Sequence, residues 1–196
     1  MKLIGLTGGI ASGKTMITDY LRSIGAPVVD ADEVSRGITE PGKPVLQEIA
    51  AAFGEDCLDE QGHLRRQKLG EMIFSNEENR LRLNAIMHPK ITEAILEAIK
   101  ALDEAGEPAA IYSAPLLLEG KGTNIADEVW LVALDLEEQV RRLMQRDNID
   151  QEAALQRIHA QASLEDKLAL ADKVIDNNGS PEEAKEQAKR LWEEAL

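Results

Sequence analysis

The amino-terminal part of the chain contains the stretch Gly8-Gly9-Ile10-Ala11-Ser12-Gly13-Lys14-Thr15, which fits the pattern G-x-x-x-x-G-K-[ST]. Glycines allow the backbone to wrap closely, so that successive N–H groups point at phosphate oxygens. Residues 2–7 are mostly apolar and predict a strand, and apolar residues at helical spacing follow the pattern. The sequence therefore predicts a phosphate-binding loop between a strand and a helix, within an α/β fold that binds a nucleoside triphosphate.

Several residues of this loop have distinct expected roles. Lys14 supplies a positive charge for the β- and γ-phosphates, and the Thr15 hydroxyl is the expected ligand of Mg²⁺. The helix that begins near Gly13 adds the positive end of its dipole. The residues expected to hold the nucleotide are Gly8, Gly9, Ile10, Ala11, Ser12, Gly13, Lys14, Thr15 and Met16, with Asn177 from a later turn. The alternative interpretation is a glycine-rich turn with a solvated lysine.

The composition argues against several classes of protein. The 196 residues carry a net charge of −14, which argues against a nucleic-acid-binding surface. Cys57 is the only cysteine, so no internal disulfide forms, which suits a reducing cytoplasm. No segment approaches the ~20 apolar residues of a membrane helix, and the amino terminus lacks a signal-peptide pattern. We expect a cytoplasmic protein, a monomer or weak homo-oligomer, that binds neither nucleic acid nor membrane.

Two carboxylates follow the second predicted strand, which covers residues 26–32. Because ligands bind at the carboxyl ends of parallel strands, we expect Asp30 and Asp32 at the same edge of the sheet as the phosphate loop. Their side chains are expected to share one face of the extended strand, because alternate residues point the same way. One carboxylate is then placed to take a proton from an attacking hydroxyl, while the other holds Mg²⁺-bound water. Alternatively, one of them caps the helix that begins near Glu33.

Residues 38–106 are predicted to be mostly helical. The pair His88-Pro89 is expected to open a longer helix that ends near Asp103, with Pro89 at its first position. A segment of this length between the second and third strands is too long for a simple crossover. We interpret it as an inserted subdomain that covers the site.

The third predicted strand, residues 109–115, has no aspartate at its end that would bind a metal ion. The metal therefore depends on Thr15, the phosphates and water, with Asp30 as a further candidate. Glu119 closes the apolar run 116–118 and is either a site residue or an ordinary surface residue. The three histidines have no metal-ligand spacing, so no zinc site is expected.

A fourth strand within residues 127–135 is followed by two helices that carry arginines. Arg141 and Arg142 follow Glu137 and Glu138 by four residues, an order that also predicts simple surface salt bridges. Arg146 has no such partner upstream. Two helices of this kind, joined by the polar residues 147–150, indicate a lid that closes on phosphates. The lid covers residues 139–162, and its candidates are Arg142, Arg146, Arg157 and Gln161.

A fifth strand is predicted at residues 173–176, followed by a turn and the last helix. Ser180 is the expected N-cap, Pro181 takes the first helical position and Glu183 closes a capping box. The turn at Asn177 lies at the same edge of the sheet as the nucleotide.

The combination of motifs resembles the dephospho-coenzyme A kinase family over nearly the whole chain, and in the same order. The phosphate loop with Thr7 before it carries the resemblance first. The further matching stretches are Asp30-Ala31-Asp32 with Arg36, Glu40-Pro41-Gly42, Leu83-Asn84 with His88-Pro89, Pro115-Leu116-Leu117-Leu118-Glu119, Gln145-Arg146-Asp147, and Ala171-Asp172 with Ile175-Asp176-Asn177-Asn178-Gly179. Two small departures, Ala11 and Ser113, are not expected to touch the chemistry.

This resemblance implies a P-loop fold similar to nucleoside-monophosphate kinases, with a five-stranded parallel core, a helical coenzyme A subdomain and a lid. It implies a core of residues 1–37, 107–138 and 163–196, with residues 38–106 binding coenzyme A. The implied reaction moves the ATP γ-phosphate to the ribose 3′-hydroxyl of dephospho-coenzyme A, with Mg²⁺. The implied catalytic residues are Asp32 as the base, Lys14, Arg142 and Arg146. The implied substrate contacts are Asp30, Asp32, Arg36, His88, Leu117, Glu119, Arg157 and Gln161.

Other functions remain as alternatives to the implied reaction. Another small-metabolite kinase, such as a nucleoside or shikimate kinase, shares the chemistry, although the long helical insertion favours the coenzyme A precursor. A regulatory GTP-binding switch would need an N-K-x-D tetrapeptide, which the chain lacks. A non-catalytic acidic interaction protein would leave the aspartates and lid arginines without a purpose.

Overall fold

Strand β1, Lys2–Gly8, lies at the centre of a five-stranded parallel sheet in the computed structural model, which describes residues 1–74, 76–119 and 125–196. The strand order is β2-β3-β1-β4-β5. The other strands are β2 (Val28–Asp30), β3 (Ala109–Ser113), β4 (Glu128–Ala133) and β5 (Lys173–Asp176). The predicted five-stranded parallel sheet is therefore confirmed, with β1 paired to both β3 and β4.

The chain divides into two compact units. The first unit comprises Met1–Val29 and Leu102–Leu196, and the second comprises Asp30–Ala101. The helices that lie in the first unit are α1 (Lys14–Ser23), α6 (Leu136–Asp147), α7 (Gln151–His159), α8 (Leu164–Leu170) and α9 (Pro181–Ala195). A short 3-10 turn, Leu117–Glu119, follows β3.

The core of the first unit lies between one face of the sheet and the helices α1 and α9. Ile4 and Leu6 of β1 are fully buried there, together with Ile17 of α1 and Trp130 of β4. Strands of a parallel sheet are covered on both faces, which explains why β1 is almost continuously apolar. Trp192 packs into the same core from α9.

The start of α9 has the predicted capping box. The Ser180 side chain accepts from the Glu183 N–H, and the Glu183 side chain accepts in return from the Ser180 N–H, with Pro181 at the first helical position. These bonds satisfy backbone donors that the helix leaves unpaired at its amino end. The short segment from Asp176 to Pro181 therefore turns sharply from β5 into α9.

The second unit is built from helices. They are α2 (Ala31–Gly37), α3 (Pro44–Phe53), α4 (Arg66–Phe74) and most of α5 (Glu77–Glu104). Val45, Ile49 and Phe53 of α3 form its small core with Leu69 and the fully buried Cys57. Burial raises the pKa of the Cys57 thiol, which disfavours the reactive thiolate.

Helix α5 differs from the sequence expectation. Two helices were expected, the second beginning at His88-Pro89, whereas one helix runs from Glu77 to Glu104 with Pro89 inside it. Proline removes one backbone hydrogen bond and frees the carbonyl of residue i−4. Both Pro89 and Ala85, which carries that carbonyl, are exposed. Water can therefore satisfy the freed carbonyl, and the helix continues.

Among the described residues, no helix combines the length and the apolar character needed to cross a membrane. Within the same part of the chain, no group of three or more His, Cys, Asp or Glu side chains is arranged to hold a metal ion.

Candidate active site

The phosphate loop occupies the gap between Gly8, which ends β1, and Lys14, which begins α1. The Ser12 N–H donates to the Gly9 carbonyl over 3.0 Å, which closes a tight turn. A side chain at Gly8 would collide with the Ser12 hydroxyl, so the loop folds back closely on the end of the strand. The remaining backbone of the loop leads directly into the amino end of α1.

Gly13 is required by both its conformation and its surroundings. Its φ of 92° lies in the left-handed region, and a Cβ there would collide with the Asn177 side chain. The Asn177 amide donates to the Ser12 carbonyl over 2.7 Å in a buried position. Ala11 also has a positive φ, of 60°, which fits a position that glycine often takes. Asn177, predicted from the turn after β5, therefore contacts the phosphate loop directly.

The buried Ser12 hydroxyl provides a test of whether this loop fits a nucleotide. Ser12 is 1% exposed, and its Oγ has no hydrogen-bond partner among the residues that the structure describes. Buried polar side-chain atoms are nearly always hydrogen-bonded. A phosphate oxygen in the loop would satisfy this hydroxyl, so the residues present fit a bound nucleoside triphosphate. Thr15 lies exposed in the first turn of α1, and Met16 packs against the core.

The Lys14 ammonium lies close to β3. Its Nζ donates to the Ser113 Oγ over 2.7 Å, and Ser113 is fully buried at the end of the strand. The Thr18 hydroxyl lies 3.2 Å from the same oxygen and donates to the Lys14 carbonyl over 2.9 Å. The sequence did not predict this contact, in which Ser113 binds the lysine of the phosphate loop.

Arg142 of α6 approaches the phosphate loop. Its Nε donates to Glu138 over 2.8 Å, and its NH2 donates to the Asn177 carbonyl over 3.2 Å. A Cβ built on Gly13 would lie 3.8 Å from Arg142 NH1. Hydrogen bonds from Arg141 and Arg142 lower the pKa of Glu138 to about 2. The expected pair of Arg141 with Glu137 is replaced by one with Glu138, which therefore binds two guanidinium groups.

Arg146 and Arg157 meet at one carboxylate. Arg146 donates from Nε to Asp147 over 2.7 Å, and Arg157 donates from NH1 over 2.6 Å. The hydrogen bond from Arg146 is the main cause of the lowered pKa of Asp147, and Arg157 adds to it. The side chains of Arg146 and Arg157 are 57% and 50% exposed, so their guanidinium groups remain accessible from solvent.

Two glutamines bind the loop residue Ile10. Gln161, just after α7, accepts from the Ile10 N–H over 2.9 Å, and Gln139 of α6 donates to the Ile10 carbonyl over 2.8 Å. Gln161 was predicted to contact substrate, whereas here its amide oxygen binds the protein backbone. Gln139 was not predicted. A signal for it exists in the sequence, since it shares the buried face of α6 with Val140 and Leu143.

Leu117 and Glu119 lie in the 3-10 turn after β3. Leu117 is 2% exposed and packs over Gly5 of β1. Glu119 accepts from the Ala162 N–H over 3.0 Å and from the Lys167 ammonium over 3.1 Å. Lys167 is 3% exposed, and a buried ammonium needs such a partner. These contacts join the turn after β3 to the beginning of α8.

A cavity of about 400 Å³ lies beside the phosphate loop within the first unit. Its walls include Gly9 and Ser12 of the loop, Gln139 and Gln161, and Lys167. The rest of the wall is largely apolar side chains from the end of β4 and from α6 to α8. Its volume is within the range of pockets that take small ligands.

The second unit carries the two aspartates, and the expectation that they share a face of an extended strand is wrong. Strand β2 ends at Asp30 and α2 begins at Ala31, so Asp32 is helical. The Asp30 side chain accepts from the N–H groups of Asp32 and Glu33 over 2.9 and 3.2 Å. This N-cap allows a helix to begin directly after the strand, which confirms the alternative that one aspartate caps a helix.

The other predicted residues of the second unit are exposed. Asp32 and Arg36 lie on α2, one helical turn apart, and His88 lies on α5. Residues i and i+4 occupy the same face of a helix, so Asp32 and Arg36 present their charged groups on one side of α2. The structure thus places Asp30, Asp32 and Arg36 in one short segment, and His88 on a separate helix.

Comparison with known proteins agrees with this geometry. A sequence model of the dephospho-CoA kinase family matches residues 2–183. The dephospho-CoA kinase of Carboxydothermus hydrogenoformans is 44% identical over 187 residues, which are 95% of this chain and 91% of that relative. The solved dephospho-CoA kinase of Campylobacter jejuni is 28% identical with a TM-score of 0.74, and the match covers 99% of this chain and 97% of that one.

A more distant likeness concerns the fold alone. Shikimate kinase from Acinetobacter baumannii, solved in complex with shikimate, has a TM-score of 0.51 at 16% identity. The match covers 98% of this chain and 92% of that one. Together with the nearer structure, it confirms the predicted P-loop kinase fold.

Proposed function

This chain belongs to the dephospho-CoA kinase family, and on that premise we propose which of its residues carry the reaction. The enzyme is a transferase that phosphorylates dephospho-coenzyme A in the last step of coenzyme A biosynthesis. The observation that carries this conclusion is the family match over residues 2–183, which includes the phosphate loop. The proposed reaction moves the γ-phosphate of ATP to the ribose 3′-hydroxyl.

The ATP phosphates are held by the phosphate loop in this proposal. Backbone N–H groups between Gly9 and Thr15, the buried Ser12 hydroxyl and the Lys14 ammonium donate to phosphate oxygens. The N–H groups of Ile10 and Ser12 are exceptions, because the first donates to Gln161 and the second to the Gly9 carbonyl. Lys14 leaves or shares its bond to Ser113 when the phosphates bind, a change that needs only rotation of a flexible side chain.

A divalent cation is the proposed cofactor, and the Thr15 hydroxyl would hold it. When bound, Mg²⁺ supplies positive charge that offsets the charge of the β- and γ-phosphates. Thr15 is exposed in the first turn of α1, next to Lys14. Oxygen ligands of this kind are those that Mg²⁺ prefers.

Asp32 is the proposed base. It takes the proton of the attacking 3′-hydroxyl as the phosphorus–oxygen bond to the acceptor forms and the bond to ADP breaks. Asp30 has one oxygen committed to the start of α2, whereas Asp32 is exposed. We therefore assign proton transfer to Asp32 and give Asp30 the task of placing it.

The lid arginines stabilise the charge on the moving phosphoryl group. Arg142 supports this role because it lies beside Gly13 of the loop. Arg146 and Arg157 are proposed to act after rearrangement of their shared pairing with Asp147. A guanidinium group so placed accelerates related phosphoryl transfers by roughly 10³-fold or more.

The acceptor is proposed to contact Arg36 and His88, together with Asp30 and Asp32, in the second unit. Leu117 and Glu119 are proposed to shape the acceptor side of the first unit, because their contacts hold the turn after β3 in place. We also propose that the enzyme acts in the cytoplasm, as a monomer or weak homo-oligomer.

The test of this function is an assay of ADP formation with Mg·ATP, with and without dephospho-coenzyme A. We expect ADP to form only when the acceptor is present, together with a product that carries a new 3′-phosphate by mass spectrometry. Acceptor-independent hydrolysis, or phosphorylation of shikimate or a nucleoside instead, would contradict the proposal.

A further inference from the structure

The loop residue Ile10 has both of its backbone polar groups bound by side chains. Its N–H donates to the Gln161 amide oxygen over 2.9 Å, and its carbonyl accepts from the Gln139 amide nitrogen over 2.8 Å. The partners fix the orientation of each amide, because a backbone N–H only donates and a backbone carbonyl only accepts. The two positions therefore need opposite chemistry: an acceptor at 161 and a donor at 139.

The side chains of the loop residues Ile10 and Ala11 are held by apolar packing. Ile10 and Ala11 pack against an apolar cluster of Val140 and Leu143 from α6 and Ala154 from α7. The backbone of Ala11 has a φ of 60°, an unfavourable conformation for a residue with a side chain. A strained turn of this kind persists only when surrounding groups hold it.

We propose that Gln139 and Gln161 are positioning residues that hold the phosphate loop in its binding shape. They tie it to α6 and to the residues that directly follow α7, the two helices that also carry the lid arginines. The inference rests on the proposed function only in that the loop is taken to bind ATP. It assigns to Gln139 a role that no sequence motif indicates, and to Gln161 an effect on ATP rather than a contact with the acceptor.

The test uses one substitution at two positions. Gln161→Glu keeps an oxygen that accepts from the Ile10 N–H, whereas Gln139→Glu removes the N–H that donates to the Ile10 carbonyl. Each variant adds one negative charge near the loop, so general repulsion of ATP acts on both. We expect Gln139→Glu to weaken Mg·ATP binding by about 5- to 30-fold relative to Gln161→Glu, the effect of one lost hydrogen bond with an unsatisfied carbonyl.

Leucine variants test the same positions without added charge. Gln139→Leu and Gln161→Leu should both raise the KM for ATP, while the KM for dephospho-coenzyme A stays close to that of the unmodified enzyme. Hydrogen exchange at the Ile10 amide should quicken in Gln161→Leu and stay slow in Gln161→Glu. The matched control is Gln156→Ala, an exposed glutamine of α7, which should leave both KM values and the exchange rate unchanged.

Thermal unfolding of each variant separates positioning from a general loss of structure. Equal affinity for Mg·ATP in the two glutamate variants would overturn the inference, and so would leucine variants that behave like Gln156→Ala. If Gln139→Leu fails to fold, the comparison of Gln139→Glu with Gln161→Glu still tests the proposal. Binding is titrated with Mg·ATP in the absence of acceptor. The result therefore does not depend on whether dephospho-coenzyme A is the acceptor.

Discussion

At the scale of single residues, Asp30 and Asp32 differ in what their side chains already bind. Asp30 accepts two backbone N–H groups at the start of α2 and so fixes the direction of that helix. Asp32 is held at a defined position by the same cap, yet its side chain is exposed. A carboxylate that stays accessible on a rigid helical turn is better suited to accept a proton than one that is committed to the backbone.

Replacing Asp32 by asparagine should therefore abolish most of the turnover. We expect kcat to fall by roughly 10²- to 10⁴-fold, the usual contribution of a positioned base, while the affinity for Mg·ATP is retained. Steady-state kinetics and nucleotide titration measure the two quantities. The matched control is Glu33→Gln, the same change of charge on the next residue of α2, which should keep kcat. Full activity of Asp32→Asn would remove Asp32 as the base.

At the scale of secondary-structure elements, α6 combines three functions along its length. Gln139 faces the phosphate loop, Glu138 orients Arg142, and Arg146 binds Asp147 at the end of the helix. Glu138 holds Arg141 and Arg142 together, and this arrangement depends on its negative charge. The geometry of Arg142 is therefore sensitive to the protonation of a neighbouring glutamate.

This dependence predicts the behaviour of α6 in acid. The pKa of Glu138 falls from the ordinary 4.5 to about 2 in the folded protein. Because the folded pKa is depressed, the ionised side chain contributes stability that is complete above about pH 4.5 and is lost as the pH falls towards 2. The Tm of Glu138→Gln should lie below that of the unmodified protein at neutral pH, and the two values should converge between pH 4.5 and 2.

Glu137→Gln provides the control for the acid experiment. Glu137 is exposed on the same helix, and Arg141 bonds to Glu138 instead. Its replacement should therefore lower the Tm at neutral pH less than the replacement of Glu138 does. A difference between Glu138→Gln and the unmodified protein that is the same at all pH values would contradict the role of the charged carboxylate.

The sequence predicted elements best where local signals agree. The fifth strand has the predicted bounds. The last helix has the predicted start and capping box, because proline, serine and glutamate act within a few residues of each other. The sequence analysis placed the start of a helix at His88-Pro89, whereas α5 runs through Pro89. The free-energy cost of a proline inside a helix depends on whether the carbonyl that it frees can reach water. That exposure is a property of the packed structure and not of the local sequence.

At the scale of the whole molecule, the two units have different cores. The first contains a five-stranded sheet with both tryptophans, Trp130 and Trp192, in its buried cluster. The second has a smaller buried cluster of helical residues that includes Cys57, the single cysteine. Stability varies across a structure with the extent of buried apolar contact. Each unit thus contains its own natural probe of unfolding.

We expect the second unit to unfold at a lower guanidinium concentration than the first. The reaction of Cys57 with a thiol reagent should begin before the tryptophan fluorescence changes. Mg·ATP at about 100 times its Kd should stabilise the unit that contains the phosphate loop by roughly 2.7 kcal/mol and so delay the fluorescence change. Coincident transitions by both probes would contradict independent unfolding and would indicate a single cooperative molecule.

The outline of the molecule was predictable because a glycine-rich loop between a strand and a helix defines the centre of the sheet. Contacts between residues that are distant in sequence could not be predicted. Gln139 lies 129 positions from Ile10 in sequence, and Lys14 lies 99 positions from Ser113. No local pattern encodes which polar side chain meets a given backbone group across such distances. The loop itself was thus predicted from local sequence, whereas the distant groups that support it were missed.

The full burial of Cys57 has a consequence for an enzyme whose product bears a free sulfhydryl. Mixed disulfides form when a thiolate reaches an accessible sulfur, and both burial and a raised pKa oppose this at Cys57. We therefore expect that oxidised coenzyme A does not form a mixed disulfide with the folded enzyme. The catalyst is in this way protected from covalent capture by the molecule it makes.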